Sequence, residues 1–394
     1  MNHVTASNHV TASLAIDDTA LRSLRDAFAA DAARHDSEAC FPAGNIARLH
    51  AAGLLALTVS RRHGGAGAGL RDTSRVLGSL AEGCASTALI LAMQLLKQAA
   101  LARTTMWPES VQARLSIEAV EHGALINALR VEPDLGSPTR GGLPATTIRR
   151  RRDGNWMLSG HKIFATGAPG LRWMDVWART ADDPAQVGPV LVHGDALGVR
   201  IVETWDHIGM RATCSHDVVF TDVMVPCDFV AMRPLAAWHN ADPAQAAWNA
   251  GGIGALYTGI ARAARDWVVN FLRQRVPSAL GVPLATLARA QEKIGEIEML
   301  LSANARLIAS IGSETDHGAP PSGTESGLIK AVLIENATRA VEIAASLAGN
   351  HAHARGTPIE RHIRDIRSGR VQAPQADAAF VNAGRGVLLP AGTP

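Results

Sequence analysis

The sequence predicts a mainly α protein with a central β-domain. Three observations carry this. Apolar residues recur near a 3.6-residue period before about residue 125 and again after about residue 233, the mark of amphipathic helices. Between them lie short, β-branched runs broken by turns. Aromatic residues make up only 4% of the 394, too few for an all-β chain, whose strands draw on Tyr, Phe and Trp. The expected organisation is a disordered tail over 1–14, a helical N-terminal domain over 15–125, a β-domain over 126–232 and a C-terminal helical bundle over 233–394.

The hexapeptide NHVTAS occurs at 2–7 and again at 8–13. Two copies of six residues cannot build a repeat fold, so they read as a frayed tail. Leu21 to Ala33 alternates apolar and charged positions near helical spacing. Asn45 is placed to cap a short helix that Gly53 ends. His63 to Gly69 reads as a loop, Asp72 as the opening of a helix through Leu80, and Ser86 as the opening of a long apolar one. That last element, Ala85 to Ala102, is apolar almost all round and belongs at a bundle centre. Its length and its Gln94, Lys97 and Gln98 argue against a bilayer span.

In the β-domain, Ile148–Arg152 and Trp156–Leu158 form a hairpin across Asp153-Gly154. Val176–Ala178, Pro189–Val192, Val199–Val202 and Val218–Phe220 continue the series, which suggests a small barrel or sandwich. Helical patterning then covers Ala255–Arg275, a face running from Ile294 to Ile311, and a third stretch from Leu328 to Ala345. Ser313 to Gly327 reads as a loop.

Several function classes drop out. Lys+Arg is 38 against Asp+Glu 36, a formal charge of +2, which gives no case for nucleic acid or for an anionic membrane. Four dispersed cysteines form no CxxC pair, so a reduced, cytoplasmic setting is the default expectation, without a signal peptide or membrane insertion. His351 and His353 are two apart and point different ways on a helix, so no metal site is expected there. The glycines at 64–69 do not follow a strand and do not fit GxGxxG, and no P-loop, HExxH or GxSxG occurs. The arginines at 149–152 alternate faces of a strand and read as a solvated hairpin edge.

More informative are polar, glycine-marked segments of the β-domain. Glu132–Pro138 is a tight turn. Lys162-Ile-Phe-Ala-Thr-Gly167 is expected to put Phe164 and Thr166 on one side of a strand, where an aromatic face and a hydroxyl suit a flat, hydrogen-bonding heterocycle. Trp205 to Ser215 is a donor-rich turn.

Together and in order, these segments resemble the acyl-CoA dehydrogenase superfamily of flavoproteins, over about residues 15–390. The family's EPxxGS turn is similar to Glu132–Ser137. Its W-x-L-x-G-x-K strand pair with a following Thr is similar to Trp156–Thr166. Its GMR segment is similar to Ile208–Pro226. Gly259, Ala261, Ala264, Asp266 and Arg275 match a helix motif; Pro358, Glu360, Arg364 and Asp365 match a C-terminal one. The resemblance implies a helical N-domain, a β-domain and a C-terminal four-helix bundle, with FAD held between the last two. It implies FAD contacts from Val131, Gly136, Ser137, Phe164 and Thr166. Arg275, Gly349 and Asn350 would complete the site, Arg275 by reaching a neighbouring subunit's FAD. That implies a homo-oligomer, a tetramer or dimer. Ser346 stands where the family has a glutamine.

The implied reaction is α,β-oxidation of an acyl thioester, with hydride transfer to flavin N5 and electrons leaving through an electron-transfer flavoprotein. It needs a carboxylate to take the α-proton. Counting along the chain, the family's two glutamate positions fall on Ala373 and Asn249, and neither can act as a base. Asp377, one helical turn beyond Ala373, is the candidate substitute. Asp365 is a poorer one, since relatives use it structurally. The alternative is a flavin monooxygenase of the same fold, with FMN or FAD reduced by a separate flavin reductase, which needs no such base. A third reading is a non-catalytic flavin-binding protein.

Overall fold

The computed structural model describes residues 17–134, 142–182, 184–238 and 242–389; the tail read over 1–14 lies outside them. The protein is mainly helical with a central sheet. The N-terminal helices are α1 (Asp18–Glu38), α2 (Ala43–Ala51), α3 (Leu70–Gly83), α4 (Ala85–Arg103) and α5 (Glu109–His122). Eight strands follow among the described residues: β1 (Leu125–Leu129), β2 (Thr147–Arg150), β3 (Trp156–Lys162), β4 (Leu171–Thr180), β5 (Gln186–His193), β6 (Val199–Val202), β7 (Asp217–Val225) and β8 (Arg233–Pro234). The chain then forms α6 (Pro243–Gln274), α7 (Ala288–Asp316), α8 (Gly323–Ala348), α9 (Pro358–Asp365) and α10 (Ala376–Leu388).

The strands join one sheet in the order β6-β7-β3-β2-β4-β5-β8, with β1 pairing parallel to β4. The β2–β3 hairpin sets Ile148 opposite Leu158, both fully buried. The helix α4 carries this domain on the N-terminal helices. It is long and apolar enough to cross a bilayer, contrary to the reading from length and polarity, yet 78% of the tested stretch is buried inside the protein. Its polar residues explain the difference, because each is used in packing. Gln94 donates to Leu55 O and Ala124 O and accepts from Ile126 N at 2.7 Å, which ties α4 to β1. Lys97 pairs with the buried Asp175 of β4.

In the C-terminal bundle, α6, α7 and α8 pack on one another and α10 packs on α8. Asn304 of α7 sits at zero exposure. Its amide donates to Thr258 Oγ1 (3.0 Å) and Leu333 O (2.8 Å), and its Oδ1 accepts from Asn336 (2.9 Å). A buried amide needs such partners, and here they fix the relative heights of three helices. The α3–α6 crossing is close because a Cβ at Gly259 would lie 2.2 Å from Gly78 O.

Four local readings change. Asn45 caps nothing: Pro42 precedes α2, and the Asn45 amide is buried, donating to Thr87 Oγ1 at 3.0 Å. The stretch 313–327 is mostly helix, since α7 runs to Asp316 and α8 starts at Gly323. The last turn of α7 is held by a distant task. Asp316 accepts Leu70 N (2.6 Å) and Arg71 N (3.0 Å), so it caps α3, which begins at Leu70 rather than Asp72. Finally, α6 starts twelve residues before Ala255, at Pro243, with Asp242 as its cap.

Candidate functional site

The site grows from the end of β3. Lys162 points into the core at zero exposure, with Nζ 2.7 Å from Glu132 Oε1. Glu132, 2% exposed, also accepts Ala145 N (2.6 Å) and Thr146 N (3.0 Å). Burial pushes its carboxyl up, but these hydrogen bonds, with the Lys162 charge, hold it below its usual value. Ile163 N then donates to Val131 O at 3.0 Å, so the Val131 turn and the segment after β3 are one unit.

That segment is a turn, where a strand was expected. Strand geometry stops at Lys162, and Phe164 has φ +59°, in the left-handed region. Thr166 N donates to Phe164 O (2.9 Å), Ala165 N to His216 O (3.1 Å) and Gly167 N to Thr213 O (2.8 Å). Phe164 and Thr166 thus sit on one turn and not on a strand face. Phe164 is 50% exposed. Its ring meets Trp205 (centroids 6.1 Å) and His207 (5.9 Å) edge-on, and those two stack at 3.6 Å. An L-residue held at positive φ with a large ring half in solvent is costly, so the position asks for a function.

Thr166 is positioned from both sides. Asn127 donates to its carbonyl at 3.1 Å. Ser215 Oγ donates to Thr166 Oγ1 at 3.1 Å, and Ser215 lies 2.7 Å from Thr213 Oγ1. Thr213 Oγ1 donates to Met210 O at 2.8 Å, so the three hydroxyls form a chain in which Ser215 is the one partner of the Thr166 hydroxyl among the described residues. Neither Asn127 nor the Thr213–Ser215 pair was expected here. Thr213 and Ser215 lie inside the donor-rich turn, but their direction toward Thr166 depends on a contact across 49 residues.

The same wall meets the C-terminal helices. Met210 N donates to Asp365 Oδ1 at 2.6 Å, and a Cβ at Gly209 would lie 2.4 Å from Arg364 O. Burial pushes the Asp365 carboxyl up to about 6, against the Met210 hydrogen bond. Arg364 clamps Asp36 through both guanidinium nitrogens, pairs with Glu360, and donates to Ile208 O at 2.8 Å. Asp365 thus joins β-domain to bundle.

Arg275 and Gly349–Asn350 lie at another end of the bundle. Arg275 is exposed just past α6, where its N donates to Phe271 O (2.9 Å). The Phe271 ring lies 5.1 Å from His351, which follows the exposed turn of Gly349 (φ +57°) and Asn350. A cavity of about 230 Å³ opens nearby, lined in part by Leu272, Leu284, Lys293, Arg339 and Ser346. Val131, Phe164 and Thr166 therefore cluster in one place and Arg275, Gly349 and Asn350 in another. Gly136 and Ser137 lie outside the described residues.

Neither position counted for a base carries an acid. Asn249, on α6, has a buried Oδ1 without a hydrogen-bond partner. Ala373 sits in a segment whose carbonyls face α8: the Lys330 ammonium, 3% exposed, donates to Gln372 O (2.9 Å), Ala373 O (2.9 Å) and Pro374 O (3.2 Å). Burial pushes Lys330 down to about 7. Asp377 stands exposed in the first turn of α10, accepting Ala378 N at 2.9 Å. Among the described residues no group of three His, Cys, Asp or Glu side chains is placed to hold a metal.

Comparisons with known proteins agree along the chain. Three family models match: acyl-CoA dehydrogenase N-terminal domain over 12–104, middle domain over 130–223 and C-terminal domain over 251–373. YdbM of Bacillus subtilis (strain 168), which carries a provisional acyl-CoA dehydrogenase name, is 34% identical, over 91% of this chain and 92% of its own. L-evernosamine nitrososynthase of a Micromonospora species is 30% identical, over 88% and 83%. The structure of KijD3 in complex with dTDP superposes with a TM-score of 0.82 at 27% identity, covering 94% of this chain and 95% of that one. Butyryl-CoA dehydrogenase from Megasphaera elsdenii, at 20% identity and a TM-score of 0.83 over 95% and 99%, shares the fold.

Proposed function

The chain belongs to the acyl-CoA dehydrogenase family, and from that premise we propose that it is a flavin-dependent monooxygenase, one that uses reduced flavin and O₂. The observation that carries this is the carboxylate inventory around the site. Ala373 and Asn249 hold no acid. Both Glu132 oxygens are taken by Lys162 and two amides. Asp365 is buried on Met210 N, and Asp377 is exposed on α10. Removal of an α-proton needs a carboxylate within hydrogen-bond reach of it; oxygenation of a nucleophilic atom has no such need.

The residues present fit a flavin. The half-exposed Phe164 ring offers a flat face, and the Thr166 hydroxyl, bonded to Ser215, has capacity left for a second hydrogen bond to a ring atom. Val131, whose carbonyl accepts Ile163 N, would border the same ring. Arg275, Gly349 and Asn350 would meet the nucleotide end of a flavin shared between subunits of a homo-oligomer. When bound, reduced flavin supplies the electrons that activate O₂, and a separate flavin reductase supplies them to it. The protein's part is to orient the substrate and keep water out. Relatives support this reading: two are named nitrososynthases, one of them an amino sugar nitrososynthase, and a KijD3 structure at 27% identity contains FMN with a dTDP-amino sugar. An amine is therefore the first substrate class to try.

The names of six relatives, YdbM and five short-chain specific acyl-CoA dehydrogenases at 27–28% identity, favour the second reading, acyl thioester dehydrogenation, with Asp377 as base. The test of the first is direct. Supply the protein with FMN or FAD, NADH, a flavin reductase and isotopically labelled dioxygen, and offer a panel of amines, sulfides and phenols. The expected result is a product carrying one labelled oxygen. Consumption of NADH with all oxygen recovered as peroxide, across the panel, would reject monooxygenation.

A further inference from the structure

We propose that the cleft between α1, α3, α6 and α7 is a second ligand site, one that takes a phosphate ester with a non-aromatic, hydroxyl-bearing body, such as a sugar phosphate. None of the residues in its wall belongs to the turn of Phe164 and Thr166, to the bundle end at Arg275, or to the counted base positions. Its occupancy therefore goes beyond the proposed function and does not depend on it.

The cleft has a volume of about 690 Å³, the size of an organic ligand rather than of an inorganic ion. Small residues keep it open: Gly78 of α3, Ala255 of α6, and Ala305 and Ala309 of α7 all line it. A Cβ at Gly78 would lie 2.9 Å from Arg262 Nη2, so the bare backbone of α3 lets that guanidinium lie against it.

Five arginines stand in the wall against three carboxylates, which leaves a surplus of positive charge. Three of the five are committed. Arg25 and Arg262 share Glu82, at 3.3 and 2.6 Å, and Arg25 also meets Asp26 at 2.9 Å. Arg75 pairs with Asp18 and Asp72. Arg22 and Arg71 are exposed and have no carboxylate partner among the described residues; Arg22 donates only to Thr19 Oγ1, at 3.2 Å. A second, independent observation lies deeper. Ser74 lines the same cleft at 2% exposure, and its Oγ has no hydrogen-bond partner among the described residues. A buried hydroxyl without a partner is destabilising, and a ligand hydroxyl would complete it.

The chemistry of the wall selects the ligand. A guanidinium is a planar fork that matches phosphate oxygens, and two of these forks are free of carboxylates. None of the lining residues is aromatic, so nothing there stacks on a nucleobase. Ser74 and Ser79 instead offer hydroxyls to a hydroxylated body.

The test is isothermal titration calorimetry on the full-length protein loaded with FMN, at fixed ionic strength. Glucose 6-phosphate and glycerol 3-phosphate are the probes; glucose, sulfate and AMP are the comparisons. The expected result is saturable binding of at least one ester, one per chain, with each comparison at least about tenfold weaker and the flavin absorbance unchanged. Arg71→Gln should weaken the ester about tenfold or more, the worth of a hydrogen bond to a charged group. Ser74→Ala should weaken it about two- to tenfold. The same variant should leave the ligand-free unfolding midpoint unchanged or higher, because it deletes an unpaired buried hydroxyl; a serine with a merely structural role would lower it. The proposal is overturned if neither ester saturates by about 10 mM, or if sulfate or AMP binds as tightly as the better ester. Equal affinity in the wild type and both variants, or displacement of FMN by the ester, overturns it too. A protein that retains no flavin would speak against the proposed function, and the titration without flavin would still judge the cleft.

Discussion

Replacing Lys162 by Met strands a carboxylate in the core. Glu132 is 2% exposed, and its Oε1 would lose the ammonium 2.7 Å away. Breaking a buried pair from one side typically costs about 3–5 kcal/mol, because the remaining charge is left uncompensated. Two amides, Ala145 N at 2.6 Å and Thr146 N at 3.0 Å, stay on Glu132, which points to the lower end, about 3 kcal/mol. Urea unfolding followed by tryptophan fluorescence suits the measurement, since Trp156, Trp173, Trp177 and Trp205 all lie in or beside the affected sheet. Adding Glu132→Gln removes the stranded charge and should return most of the loss, about 2 kcal/mol. Because Val131 and Ile163 are hydrogen-bonded neighbours of this pair, flavin affinity should weaken in the single variant and recover in the double. A loss under about 1 kcal/mol, the worth of an exposed pair, or a double variant no better than the single one, would refute the reasoning.

Two further outcomes are expected. Thr166→Val removes the hydroxyl proposed to bond the flavin, a hydrogen bond worth about 0.5–1.5 kcal/mol, so flavin titration should show affinity falling about two- to tenfold; unchanged affinity rejects its role. Asp365 has a folded value of about 6 against an ordinary 3.8, so the fold favours its protonated form. Its contribution to stability is therefore present below about pH 4 and is lost as pH rises through about 6, a fall of about 3 kcal/mol at 1.36 kcal/mol per unit. Asp365→Asn keeps an acceptor for Met210 N and should lack that fall. Parallel stability curves for the two proteins between about pH 4 and pH 7 would contradict the assignment.

Much of this was legible in the residues, and the exceptions share a cause. The alternation of helical and strand-like patterns located the mainly α architecture with its central sheet, because periodicity records which face is buried. Phe164 and Thr166 were expected on one side of a strand, and they do not share one. Period-two reasoning placed them on a strand, whereas a residue at φ +59° makes a turn there, and no local pattern marks an aromatic that will accept that conformation. Asp316 capping α3 and Ser215 reaching Thr166 are long-range hydrogen bonds, which a window of neighbouring residues does not contain. Lys330 was hidden differently. A lysine in an apolar helix reads as a solvated edge, and only the course of the chain past Gly369 shows it enclosed. Counting put the family's two base positions on Ala373 and Asn249, neither of them an acid.

The central claim is that this protein oxygenates rather than dehydrogenates. The most direct measurement is anaerobic: mix the oxidised flavin-loaded protein with acyl-CoA thioesters of graded chain length and follow the flavin absorbance. The account predicts that none of them bleaches the flavin, in wild type or in Asp377→Asn. Bleaching of the wild type by any thioester, abolished in Asp377→Asn with flavin still bound, would contradict it and establish Asp377 as the base.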